Sequence, residues 1–182
     1  MPALVKAFTG SNTKIGEKRM RIVKTGLAAL AATVALTAAV HAAEVKKSGQ
    51  AQGSPEDVWA MVGDFCAIKD WHPAVVECDE MEEGGDTYRV LTLGDGGKIK
   101  EKLTKKGDTS YSYEIIESPL PVQNYAATLS VTEDDGDDIA EVVWEAEFDP
   151  ADGVEEAKAV EVISGIFDAG IESIGKKAGD AQ

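Results

Sequence analysis

Apolar positions recur along this chain with two periods, and the change from one to the other divides it into elements. Val58, Met61, Val62 and Phe65 stand at i, i+3, i+4 and i+7, the spacing of one buried helical face. The start of that helix is marked. Ser54 is a good N-cap, Pro55 suits the first helical position where a missing N–H costs nothing, and Asp57 completes a capping box at the positive end of the helix dipole. Gly63 weakens the far end of the helix. Pro73 biases His72 toward extended backbone, so residues 67–71 hold at most a short second turn of helix before an Asp70-Trp71-His72-Pro73 corner.

On either side of this helical stretch the period is two. Glu44 to Gly53 alternates weakly and reads as a first, edge strand. After the corner, Ala74 to Met81 and Thr87 to Leu93 are joined by Glu82-Glu83-Gly84-Gly85-Asp86, which is hairpin chemistry. Following the Gly94 to Gly97 turn, Lys98, Lys100 and Lys102 take one face, and Ile99, Glu101 and Leu103 the other. Strands are expected at Thr109 to Glu117, Val122 to Thr132 and Ile139 to Phe148, with Ser118-Pro119-Leu120-Pro121 interrupting the ladder. In the last of these, Val142, Trp144, Ala146 and Phe148 oppose Glu141, Glu145 and Glu147, which gives one dry and one wet face.

The chain ends on a second helical period. Val160, Ile163, Phe167 and Ile174 form a stripe, broadened by Val162, Ile166 and Ile171, with Asp152 as the expected N-cap and Glu155 three residues on. Gly165, Gly170 and Gly175 interrupt this helix and leave room beside it, either for a ligand or for close contact with a sheet. Successive strands joined by short turns predict an α+β fold, an antiparallel meander of six or seven strands whose dry face is covered by the closing helix.

Composition adds location and excludes partners. Of the 182 residues, the first 42 hold six of the 18 Lys and Arg and one of the 33 Asp and Glu. The remainder carries 12 against 32, a net charge of -20 within the chain total of -15. Such a surface repels phosphate backbones, so nucleic acid is not an expected partner. Arg21 and Lys24 precede the 15 apolar residues Gly26 to Val40, and Val40-His41-Ala42 offers a signal-peptidase site. Residues 1–42 are therefore expected to be an amino-terminal extension and cleaved secretory signal, with Met20 a candidate start. Residues 43–182 are expected to be one exported periplasmic domain. The apolar run is shorter than the ~20 residues of a spanning helix, so no stable membrane anchor is expected.

Cys66 and Cys78 are the only cysteines and His72 is the only histidine beyond residue 42. No zinc spacing exists, and neither a metal nor another cofactor is expected. Export and the chain reversal between the two cysteines predict a disulfide. Glu101 stands out because a carboxylate on an apolar strand face must be paired, hydrogen-bonded, neutralised or wet, and an internal wet cavity would satisfy it. The candidate lining of that cavity is Trp71, His72, Tyr125, Trp144 and Phe167 around Glu101. Core filling is the alternative for the aromatic residues, and a structural corner the alternative for His72.

The element order, with VWAMVGDFCAIKDWHPAV and the later ESPLPVQNY, resembles the SRPBCC superfamily of START-like proteins, which includes polyketide cyclases and the birch-pollen allergen. The resemblance covers Glu44 to about Ala178. It implies a helix-grip fold, in which a curved sheet wraps the last helix around a hydrophobic cavity, and it transfers no catalytic residues. The secretory signal points within it to members resembling the periplasmic MxaD-type proteins, associated with methanol oxidation. Three functions follow, ranked with the binding module first: a periplasmic carrier of a small hydrophobic molecule, an accessory protein docking on a periplasmic redox enzyme, and a cyclase or dehydratase using Glu101, His72 or a tyrosine as acid and base.

Overall fold

The computed structural model describes residues 42–134 and 138–181. The expected signal segment, apart from Ala42, lies outside them. Strand β1 (Ala43–Gln52) leads through Ser54 into helix α1 (Pro55–Val62) and the single turn α2 (Ile68–Trp71). Six strands follow in a meander: β2 (Val75–Glu83), β3 (Asp86–Leu93), β4 (Lys98–Lys106), β5 (Ser110–Glu117), β6 (Val122–Glu133) and β7 (Ile139–Pro150). Helix α3 (Glu156–Asp180) closes the chain. The seven strands form one antiparallel sheet in the order β1-β7-β6-β5-β4-β3-β2, so β1 closes against the last strand and β2 is the far edge.

Local chemistry explains these boundaries. The Ser54 hydroxyl accepts the Asp57 N–H at 3.2 Å and donates to the Asp57 carboxylate at 2.8 Å, the expected cap of α1. Phe65, expected on the helical face, lies beyond the end of α1, where Gly63 is the C-cap, and is buried nonetheless. The start of α3 is a correction. Asp152 does not cap it: Gly153 takes φ +79° and the Val154 N–H bonds the Ala151 carbonyl, so Asp152-Gly153 forms a turn. The helix begins after the extended Glu155, whose carbonyl accepts from Lys158 and Ala159.

Irregular register in β2, β4 and β6 bends the sheet, because an extra residue on one strand of a pair curls it. The inner face carries Tyr111, Tyr113, Leu129, Val142, Trp144 and Phe148, none more than 2% exposed, and α3 lies on it through Ile163, Phe167 and Ile174. The glycines of α3 settle into distinct roles. A Cβ on Gly170 would stand 2.8 Å from the Trp144 ring, 2.8 Å from the His72 ring and 3.1 Å from Trp71, and one on Gly175 would stand 2.9 Å from the Gln50 carbonyl oxygen. Both permit close approach of the helix. Gly165 is exposed, with open space around the same position.

Cys66 and Cys78 are joined, Cα to Cα 5.5 Å, and tie the segment between α1 and α2 to the edge strand β2. Closing a loop of this size contributes about 3 kcal/mol. The α3 contacts carry a prediction that urea unfolding checks. Gly170→Ala, which overpacks the Trp144–His72 contact, lowers stability by about 1–3 kcal/mol. Gly165→Ala, with nothing to strike, raises it by up to about 1 kcal/mol.

Candidate functional site

The site is built on the inner face of the hairpin formed by β3 and β4, where Arg89 and Glu101 are direct cross-strand partners. Alternation places Arg89 on the side of Leu91, and the ladder places Glu101 opposite it. The Arg89 Nε donates to Glu101 Oε2 at 2.5 Å, with both side chains out of solvent. Nη1 donates to the Phe65 carbonyl, which is free because α1 has already ended, and also to the Tyr111 hydroxyl at 3.5 Å. The guanidinium lies 4.0 Å from the Phe65 ring centroid and 5.2 Å from that of Tyr113. Nη2 has no acceptor among the described residues, and the surrounding ring faces lower the cost of the buried charge.

The two partners respond differently to burial. Desolvation raises the Glu101 carboxyl above its ordinary value, against the pull of Arg89. For Arg89 desolvation acts to lower the pKa, but Glu101 and the tyrosines outweigh it and raise it. The arginine governs the pair: a guanidinium keeps its proton, so neutralising Glu101 would leave a buried charge unpaired.

A second polar group lies beside this pair. The Trp144 Nε1 donates to the Tyr113 hydroxyl at 3.0 Å, and the Tyr113 and Tyr125 hydroxyls stand 3.5 Å apart. Burial is the largest cause that raises the pKa of both phenols, so both are protonated at neutral pH. His72 is held differently. Its Nε2 donates to the Ile166 carbonyl of α3 at 3.1 Å, and its Nδ1 accepts from the Ala74 N–H at 3.2 Å. These bonds specify the neutral Nε2–H tautomer, and burial lowers its pKa below the usual 6.5. Both ring nitrogens serve the backbone, and neither is left to act as a base.

Between these groups is a pocket of about 120 Å³. His72, Glu101, Tyr125, Trp144 and Phe167 line it, together with Tyr113 and aliphatic side chains such as Leu91, Ile99 and Ile163. Trp71 does not line it. That ring is packed edge-on against Trp144 and His72, with centroids 5.6 and 5.7 Å apart, and supports the wall. Phe167 stacks on Trp144 at 4.3 Å. Sequence reasoning missed Arg89, Tyr111 and Tyr113. For Arg89 a signal existed: it is the only arginine beyond residue 42, and it shares a strand face with Leu91 and Leu93. Among the described residues no cluster of side chains suits a metal ion, and no helix is long and apolar enough to cross a membrane.

Two predictions follow from the buried charges. Glu101→Gln strands the Arg89 charge and lowers stability by about 3 kcal/mol or more, whereas Arg89→Met combined with Glu101→Leu restores most of that loss. Chemical denaturation of the three variants measures it. For His72, the folded pKa lies below the unfolded one, so its contribution is complete above pH 6.5 and is lost as pH falls through the folded value. The melting temperature of the wild type therefore drops more between pH 7.5 and 5 than that of His72→Gln.

The model of the family described as polyketide cyclase / dehydrase and lipid transport matches residues 42–179. The solved structure of XoxI from Bacillus cereus is 32% identical, covers 76% of this chain and 97% of its own, and superposes with a TM-score of 0.72. Two more distant structures share the fold alone. The Zhui aromatase/cyclase from Streptomyces is 15% identical with a TM-score of 0.61, covering 76% of this chain and 94% of its own. A START superfamily protein from Mycobacterium smegmatis is 13% identical with a TM-score of 0.64, covering 76% and 99%. No curated protein matches the chain. With its seven-stranded helix-grip sheet and the family match across residues 42–179, the chain belongs to the polyketide cyclase/dehydrase and lipid transport family.

Proposed function

We propose that the chain is a periplasmic binding module for a small hydrophobic molecule, held in the pocket between α3 and the inner face of the sheet. One observation carries the reading. Two of the candidate acid–base groups have partners, His72 on backbone and Glu101 on Arg89, burial keeps the pocket tyrosines protonated, and the space between them is bounded chiefly by carbon. That arrangement favours burial of an apolar surface over proton transfer. The size narrows the ligand. A dry apolar cavity of about 150 Å³ admits benzene, and pockets for drug-sized ligands begin near 300 Å³. A pocket of about 120 Å³ therefore suits a molecule of about one ring.

Export is supported by the basic segment, apolar run and cleavage pattern of residues 1–42, by the Cys66–Cys78 disulfide, and by the start of β1 at Ala43 directly after the expected cleavage site. A second reading, docking on a periplasmic redox enzyme, is favoured by β2. This edge strand presents Glu77, Asp79, Glu80, Glu82 and Glu83 with the exposed Val76 and Met81, a surface complementary to a cationic protein.

Thermal unfolding with added benzene tests the binding reading. At 100 times its dissociation constant a ligand of the folded state adds about 2.7 kcal/mol, so the melting temperature of the wild type rises with benzene concentration. Leu91→Phe, which fills the pocket, loses that response. An unchanged melting temperature in the wild type at every concentration contradicts the proposal.

A further inference from the structure

The hydrogen bonds around the pocket have a direction, and the direction selects a ligand chemistry. An indole N–H can only donate, so the Tyr113 oxygen is the acceptor of the 3.0 Å bond from Trp144. The Tyr113 proton then has one partner among the described residues, the Tyr125 oxygen at 3.5 Å. Accepting from Trp144 polarises the Tyr113 hydroxyl and makes its O–H the stronger donor of the two, so Tyr113 donates and Tyr125 accepts. The chain thus runs from Trp144 through Tyr113 to Tyr125, and the last proton in it meets no acceptor among the described residues. Tyr125 is 4% exposed and lines the pocket. The carboxylate in the pocket wall, Glu101, bonds Arg89 Nε through Oε2 at 2.5 Å and makes no hydrogen bond with Tyr125.

We infer that the pocket recognises a one-ring hydrophobic molecule bearing a hydrogen-bond acceptor oxygen, a carbonyl above all, which takes the free O–H of Tyr125. The inference rests on the binding-module reading and adds polarity to it. A buried O–H whose proton meets no acceptor costs free energy in the empty protein, and a carbonyl placed against it removes that cost while the ring fills the apolar remainder. Glu101 then acts at one remove, holding Arg89 in place beside Tyr111 and Tyr113.

Two probes of the same shape separate polarity from size: cyclohexanone, with the acceptor, and methylenecyclohexane, without it. Binding of each is measured by calorimetry to the purified wild type and to Tyr125→Phe. The expected result is a roughly fivefold or greater loss of cyclohexanone affinity in Tyr125→Phe, the weight of one net hydrogen bond, with methylenecyclohexane held within about twofold. Retained hydrocarbon binding shows that the variant is folded and its pocket open. Equal effects on both probes overturn the inference while leaving the binding module intact, whereas a wild type that binds neither probe overturns the binding module itself. In the wild type alone, the Tyr125 hydroxyl proton shifts in the NMR spectrum on addition of cyclohexanone and not of methylenecyclohexane. An unmoved resonance with bound ketone also overturns the inference.

Discussion

A guanidinium removed from water needs a carboxylate and oxygens placed at fixed angles around it, and Arg89 obtains these from three other parts of the chain. Glu101 comes from β4, Tyr111 from β5, the Phe65 carbonyl from the segment after α1, and Arg89 itself from β3. A buried pair of this kind adds little net stability compared with apolar side chains of the same volume, but breaking it is costly. Its structural effect is therefore one of position. The segment after α1 has to bring the Phe65 carbonyl to Arg89, and the disulfide from the neighbouring Cys66 to Cys78 ties the same segment to the edge strand β2. With that segment fixed, the Phe65 ring covers the charge and stands 5.5 Å from Tyr111.

From there the constraint passes to the opposite wall. The chain leaves α2 at Trp71 and turns at His72, whose imidazole bridges the Ala74 N–H and the Ile166 carbonyl of α3. The helix can approach this corner only because residue 170 has no side chain. The approach stacks Phe167 on Trp144, and Trp144 is the residue whose N–H sets the direction of the tyrosine chain. The pocket is what remains between a charged wall, where Arg89 is neutralised, and an aromatic wall held by the corner. Its apolar character results from the pairing of Glu101 with Arg89 and of His72 with backbone at its edge, the Tyr125 O–H excepted.

Much of this arrangement was legible in the residues. The period-two stretches became strands because each has one buried face, and the Ser54-Pro55-Asp57 pattern became a capped helix because its chemistry is local. The Asp152 cap was misread for the same kind of reason: Asp-Gly is also turn chemistry, and a glycine at positive φ ended the competition in favour of the turn. Glu101 was visible as an anomaly on a dry face, but its partner depends on the register that sets residue 89 opposite residue 101. Periodicity alone does not supply that register. The Trp144–Tyr113 bond was still less accessible. It joins β7 to β5 across β6, and only strand order brings those residues together. Trp71 was expected in the pocket lining, yet its ring packs edge-on against Trp144 and stands behind the wall, an outcome that depends on packing and not on the corner alone.

Arg89 is the only arginine beyond residue 42, so its Nε–H is a readily assigned probe of the central claim. The measurement is hydrogen exchange of that group in the NMR spectrum of the folded protein at neutral pH. A guanidinium buried and bonded to Glu101 exchanges only through global opening, in step with the most protected backbone amides of β6 and β7, and this is the predicted result. Exchange as fast as that of a solvated arginine side chain would contradict the account, because the charge would then not be buried and would not organise the walls around it.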